Sequence, residues 1–201
     1  MDNNYKYLFD ADKYINEIID IDKKFYKDEY CWSNEYQRKI YERNKNSFIL
    51  IGNNEEVVGY LNFLCITKDK YEEIKKSPTT VDNFELNEII PFVVGENYIT
   101  INSIVIKDKY QNGETIKWIN NGFINYLKKL ENQEIYINGI AGIAISNDGQ
   151  KYFEKLGFET KKELTDGNYL YIIEKDHDLV SNKLDNAIKK LKKKEAYEVN
   201  P

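Results

Sequence analysis

Residues 149–159 read GQKYFEKLGFE, and their order decides how the second half of the chain is built. Phe153 and Leu156 lie three apart and share one helical face, while Gly157 stands where a helix C′ glycine belongs. Phe158 opens the run FETKKELTDGNYLYIIEK (158–175), which Asp166-Gly167 folds into a hairpin. Ahead of the helix lies EIYINGIAGIAIS (134–146), a strand. Further back, ETIKWINNGFINYLKKL (114–130) carries Ile116, Ile119, Phe123, Ile124 and Leu127 on one face, an amphipathic helix in spite of Gly122. Before that helix, YITINSIVIKD (98–108) runs apolar like a buried strand. The two strands flanking helix 114–130 are expected to be parallel neighbours joined by a right-handed crossover.

Towards the N-terminus, YKYLF (5–9) is a short strand. Tyr14, Ile15, Ile18, Ile19, Asp22 and Phe25 then recur at spacings of three and four, with Asp10 or Asp12 as the expected cap. Ser33 caps a second helix, NEYQRKIYERN, and the strands SFILIG and VVGYLNFLCIT are joined by the turn GNNEE. DKYEEIKK reads as a short helix and SPTTVDN as a turn, whereas ELNEIIPFVVGEN (85–97) fits loop or helix. From Asp178, Leu184, Ile188 and Leu191 form an amphipathic tail that can dock on the body or on a second copy. The order predicts an α/β (mixed α+β) fold: a central mixed sheet of about 6–7 strands, helices on both faces, and a C-terminal helix. It is read as one domain over 1–177 with a lysine-rich tail over 178–201.

Composition narrows the function. The chain has 201 residues, 41% hydrophobic and 31% charged, enough for one good core. Net charge is −5, but residues 183–195 hold six lysines against Asp185 and Glu195, which leaves the remainder near −9. An acidic body argues against nucleic acid as a ligand and leans towards a cationic or amine substrate. Cys31 and Cys65 match no metal spacing and His177 is the only histidine, so no Cys/His metal site and no histidine triad is expected. The acidic, aromatic start MDNNYKYLFD lacks a secretory pattern, and no apolar run reaches the roughly 18–20 residues of a membrane span. A cytoplasmic protein, monomer or homodimer, is the expectation.

A polar turn, KYQNGETIKW (109–118), follows strand 98–108 directly. With GQKYFEKLGFE and the order of elements, it resembles the GCN5-related N-acetyltransferase superfamily over about residues 5–175. In that family the helix-to-strand signature is an aromatic followed by E-K-L-G-F. Its acetyl-CoA loop reads Gln or Arg, two residues, Gly, one residue, then Gly or Ala. Aligned on Gln111, this chain runs Gln111-Asn112-Gly113-Glu114-Thr115-Ile116, with Glu114 and Ile116 where small residues are the rule. Backbone N–H groups and the helix dipole hold a phosphate without any particular side chain, and Asn112-Gly113 supplies unusual φ. A phosphate cradle and a plain connector are both open on the sequence.

The resemblance implies acetyl-CoA as co-substrate, no metal, and direct attack by a primary amine of a small molecule or a protein. Ile104, Val105 and Ile106 would pair with the pantetheine arm as an extra strand and steady the oxyanion. Residues 111–116 would take the pyrophosphate. Ser146 or Asn147 would bind pantetheine or merely cap the next helix. Phe153 occupies the family's usual proton-donating tyrosine position, so Tyr152, about 100° away on the helix, is the candidate general acid. Glu85, Glu88, Glu96 and Glu35 are candidate bases, with Glu88 put forward. Tyr26, Tyr30 and Trp32 either wall a pocket for a cationic amine or belong to the core. The competing reading is a catalytically degenerate member of the fold that binds acyl-CoA or a protein partner.

Overall fold

The computed structural model describes residues 5–8, 11–27, 31–53, 56–78 and 84–198. Among the described residues, seven strands and six α-helices follow one another along the chain. They are β1 (Lys6–Leu8), α1 (Ala11–Phe25), α2 (Asn34–Arg43), β2 (Phe48–Gly52), β3 (Val57–Ile66), α3 (Lys68–Lys76) and β4 (Gly95–Ile106). They continue with α4 (Gly113–Glu131), β5 (Ile135–Ala144), α5 (Asn147–Lys155), β6 (Glu159–Glu163), β7 (Tyr169–Glu174) and α6 (Val180–Glu198). The strands form one mixed sheet in the order β1-β2-β3-β4-β5-β7-β6. The two hairpins expected from GNNEE and Asp166-Gly167 pair antiparallel, as β2 with β3 and β6 with β7.

Local chemistry accounts for most boundaries. Ser33 Oγ accepts the Tyr36 N–H at 3.2 Å and starts α2; Thr67 does the same for α3 through Lys70 at 3.3 Å. Asp10, an expected cap of α1, lies outside the described residues. Gly157 adopts φ 79°, and the Phe158 N–H returns to the Phe153 carbonyl at 3.0 Å, closing α5 as the sequence requires. Segment 85–97 forms a 3-10 turn, Leu86–Glu88, and supplies the first residues of β4; between them the Ile90 N–H goes to the Cys65 carbonyl at 3.0 Å, and Pro91 has no N–H with which to extend a helix. Beyond it, Asn97 holds Val93 by both its N–H and its carbonyl, and β4 begins at Gly95.

By backbone packing the chain divides into two compact units. The first comprises Met1–Cys65, Val81–Pro91 and Ile101–Tyr126. Ile15, Ile18 and Ile19 of α1 pack there on Leu50, Val57, Tyr60 and Val105. Gly122 lets α4 come close: a Cβ on it would meet Ile49 and Tyr7 at 2.7 Å. Gly122→Ala should therefore destabilise the protein by about 1–3 kcal/mol through overpacking. An alanine free of such contacts would instead gain roughly 1 kcal/mol in a helix. Urea midpoints of the two proteins decide the sign.

The second unit comprises Ile66–Thr80, Phe92–Thr100 and Leu127–Pro201. Phe153 stacks on Tyr171 with centroids 5.3 Å apart, and Phe158 meets it edge-on at 5.0 Å. The α6 stripe docks within this unit. Val180, Leu184 and Ile188 are buried, Lys128 pairs with Asp185 at 2.7 Å, and the Ser181 hydroxyl donates to Glu131. Among the described residues no helix is long and apolar enough to cross a membrane.

Candidate active site

The first unit holds the turn that follows β4. Asn112 caps α4: its Oδ1 accepts the N–H groups of Glu114 and Thr115, each at 3.0 Å, and the Thr115 hydroxyl at 3.2 Å. Those two N–H groups are the ones a phosphate cradle would use, and they converge on a single oxygen. Gly113 faces open space, the Glu114 side chain is exposed, and Ile116 is half-buried. Thr115 is fully buried and bonded to the Tyr5 hydroxyl at 3.0 Å. Gln111 turns back, donating to the Ile106 carbonyl at 3.0 Å and to Asp108 at 3.2 Å.

Cations beside the turn are already engaged. Lys107 pairs with Glu17 at 2.9 Å and with Glu56 at 2.7 Å, and Lys109 also reaches Glu56. Hydrogen bonds from those lysines hold the Glu56 carboxyl down at about 2. Of the strand positions assigned to pantetheine, Val105 is buried, while Ile104 and Ile106 are half-buried. The Tyr26 hydroxyl donates to the Ile104 carbonyl at 3.5 Å.

The same unit contains a small open cleft with room for about 20 Å3, little more than one water. Ile15, Ile18 and Ile40 of the two N-terminal helices form its apolar side. Trp32, Tyr41 and Phe48 supply aromatic faces, and Gln37, Asn62 and Asn102 supply amides. The Asn62 amide nitrogen is committed to the Ser47 carbonyl at 3.0 Å, and its oxygen accepts from Asn102 at 2.8 Å. The remaining lining residue is Asp22, only 9% exposed. Its one side-chain hydrogen bond comes from the buried Tyr60 hydroxyl, and no lysine or arginine pairs with it among the described residues. Burial pushes the Asp22 carboxyl up to about 6, although the Tyr60 bond pulls the other way. Burial first, and the Asp22 charge second, drive the phenols of Tyr26 and Tyr60 well upward.

Of the three aromatics expected to wall an acceptor pocket, Trp32 lines this cleft, T-shaped to Tyr36 at 5.5 Å and to Phe84 at 6.2 Å. Tyr26 is not in its lining, and Tyr30 lies outside the described residues. None of the four candidate glutamates lines it either. Glu88 accepts the Glu85 N–H at 2.8 Å and caps the 3-10 turn, Glu35 pairs with Lys39 at 2.6 Å on the surface, and Glu96 is exposed. Sequence reasoning passed over Asp22, although the signal was there: a carboxylate standing on the apolar stripe of α1 between Ile18 and Phe25.

In the second unit, Ser146 is the N-cap of α5, accepting the Gly149 N–H at 3.1 Å, and Asn147 is exposed. Phe153 is core, its ring tip against Gly142. Tyr152 is half-buried beside it, and burial drives its phenol well upward, so it stays protonated at neutral pH.

No protein-family model and no curated protein matches the sequence. Solved structures do. Naa50 of Arabidopsis thaliana, in complex with the bisubstrate analogue CoA-Ac-MVNAL, is 12% identical and superposes with a TM-score of 0.56 over 85% of this chain and 99% of its own. NAA60 of the same plant, in complex with acetyl-CoA, is 13% identical with a TM-score of 0.55 over 85% and 97%. The PaiA N-acetyltransferase of Thermoplasma acidophilum, in complex with coenzyme A, is 10% identical with a TM-score of 0.50 over 86% and 99%. The seven-stranded sheet, the element order and these superpositions agree: the fold is that of the GCN5-related N-acetyltransferases, at 12–13% sequence identity to the two plant structures.

Proposed function

We propose that this protein is an N-acyltransferase that moves an acetyl group from acetyl-CoA to a primary amine. The observation that carries the reading is the turn after β4, in a fold whose solved examples include complexes with acetyl-CoA and coenzyme A. At the N-terminus of α4 the Glu114 and Thr115 N–H groups converge on one acceptor, now the Asn112 side chain. A pyrophosphate oxygen asks the same of a helix end, and Gly113 adds an N–H with no side chain in the way. Residues 111–116 therefore suit the phosphates once Asn112 rotates aside. The backbone of Ile104–Ile106 suits the pantetheine arm and the oxyanion.

When bound, the thioester supplies the activated acyl group. The chain's own residues orient the amine, accept its proton and return a proton to the departing sulfur. Tyr152, protonated at neutral pH, is the proposed donor for that last step, and Ser146 and Asn147 are proposed pantetheine contacts. A soluble, cytoplasmic enzyme acting on a small-molecule or protein amine is the reading that goes with this chemistry.

The same turn supports a second reading. Because Asn112 already satisfies the two N–H groups and Glu114 adds a carboxylate nearby, the loop also suits a protein that has given up acetyl-CoA and works by association. Thermal melting with 1 mM acetyl-CoA separates the two. At a Kd on the order of 10 μM, linkage predicts about 2.7 kcal/mol and a rise in Tm of roughly 5–10 °C. Coenzyme A should match that rise and ATP should not. Asn112→Gly should cost only a few tenths of a kcal/mol of stability. It should also tighten acetyl-CoA binding, because two donors are released. An unshifted melting curve in both proteins sinks the acyltransferase reading and leaves association.

A further inference from the structure

Among the described residues Asp22 is a buried charge without a counter-ion. Its Oδ1 accepts the Tyr60 hydroxyl, its Oδ2 has no hydrogen bond among those residues, and the residue is only 9% exposed. A carboxylate so placed is normally matched by a cation or by several donors. The cleft that it lines has room for about 20 Å3, the space of a single water-sized particle.

Three carboxamides line the same space, those of Gln37 on α2, Asn62 on β3 and Asn102 on β4. The Asn62 oxygen accepts from Asn102 and keeps a second lone pair. The Asn102 oxygen and the Gln37 carboxamide have no hydrogen-bond partner among the described residues. We infer that this cleft binds one potassium ion, with the Asp22 carboxylate as its counter-charge and the Gln37, Asn62 and Asn102 oxygens as further ligands. Such an ion would tie α1 to α2, β3 and β4 within the first unit. The inference does not rest on the acyltransferase reading.

Size and charge both select the ion. Potassium matches a water molecule in radius, about 1.4 Å, whereas sodium is smaller and holds its waters more tightly. Carbonyl and carboxylate oxygens can replace the hydration shell of potassium, and an aromatic face attracts the same charge. Trp32, Tyr41 and Phe48 supply such faces in the lining. A divalent ion would bring twice the charge of the one carboxylate present, and magnesium keeps several waters that this space does not hold. A water alone would fit the space and leave the charge unmatched.

Thermal melting at pH 7.5 tests the site, with potassium chloride as the probe. At a Kd on the order of 10 mM, raising potassium from about 1 to about 150 mM, with choline chloride holding the ionic strength constant, should lift Tm by roughly 3–6 °C. Sodium chloride should give a smaller rise. The groups that face Asp22 are the phenols of Tyr60 on β3 and of Tyr26 just past the end of α1, with Tyr41 of α2 across the cleft. Tyr60 and Tyr26 stay neutral, so the potassium response should fade as pH falls through about 6, where Asp22 takes up its proton.

Asp22→Asn should lose the potassium response. In choline chloride it should melt above wild type, by a margin that potassium closes. Gln37→Leu keeps the carboxylate and removes one ligand, so it should need more potassium for the same rise. Equal melting of wild type in potassium and in choline chloride overturns the inference and assigns the cleft to a water. A potassium response that Asp22→Asn and Gln37→Leu both retain overturns it as well, because the ion then binds elsewhere.

Discussion

Asp22→Asn should make the protein more stable at neutral pH, by about 1–3 kcal/mol. The reason is linkage. Folding raises this carboxyl from its ordinary 3.8 to about 6, because burial penalises the charge more than the Tyr60 hydrogen bond supports it. A carboxyl with a raised folded pKa binds its proton more tightly in the native state. Its ionisation therefore subtracts stability above about 6, and the loss disappears as pH falls towards 3.8. The difference between those values corresponds to roughly 3 kcal/mol at pH 7, an upper limit, since the native site relaxes around the charge. Asparagine keeps an oxygen to accept from Tyr60 and carries no charge.

Guanidinium unfolding at pH 7.5 and pH 4 gives the check: the advantage of Asp22→Asn should be clear at the higher pH and gone at the lower. Tyr60→Phe should act in the opposite direction, costing about 1.5–3 kcal/mol at pH 7.5 because it strips the carboxylate of its one side-chain donor among the described residues. A neutral-pH loss of stability in Asp22→Asn would mean that Asp22 has a cationic partner in solution.

The second large effect lies in the other unit. Phe153→Ala should cost about 3–5 kcal/mol, since the ring is 3% exposed and its loss leaves a cavity between Tyr171 and Phe158. The more telling variant is Phe153→Tyr, which restores the aromatic usual in the resembled family. The ring tip already stands where a Cβ on Gly142 would meet it at 2.5 Å, so a hydroxyl there would run into β5. Phe153→Tyr should destabilise by about 1–3 kcal/mol and restore no proton donor. A neutral or stabilising Phe153→Tyr, with faster acetyl transfer, would show that β5 yields and that the position is still catalytic. The packing of Phe153 on Gly142 explains why a phenylalanine can be retained here, and why any donor must come from a neighbour such as Tyr152.

The elements of this fold were legible because their signals are local. Apolar spacing in 114–130, the Gly157-Phe158 stop and the Asp166-Gly167 turn each act within a few residues, and α4, α5 and the β6–β7 hairpin follow them. Segment 85–97 was ambiguous for the opposite reason: its apolar residues suit either state, and the turn stops after Glu88, where the Ile90 N–H pairs with the distant Cys65 carbonyl, before a strand start held by Asn97. Asn112 was also within reach, since an asparagine ahead of Gly-Glu-Thr is a strong cap. Its value for supplying φ drew notice away from its side-chain oxygen.

Sequence alone determined which residues are helical, which alternate, and that Asp22 shares a stripe with Ile15, Ile18 and Ile19. Only tertiary structure decided what that carboxylate is. Tyr60 reaches it from 38 residues away, the aromatic faces come from the α1–α2 connection, α2 and β2, and among the described residues no lysine or arginine comes to pair with it. Periodicity reports that a side chain is buried; the charge it keeps there is set by desolvation and by partners distant in the chain.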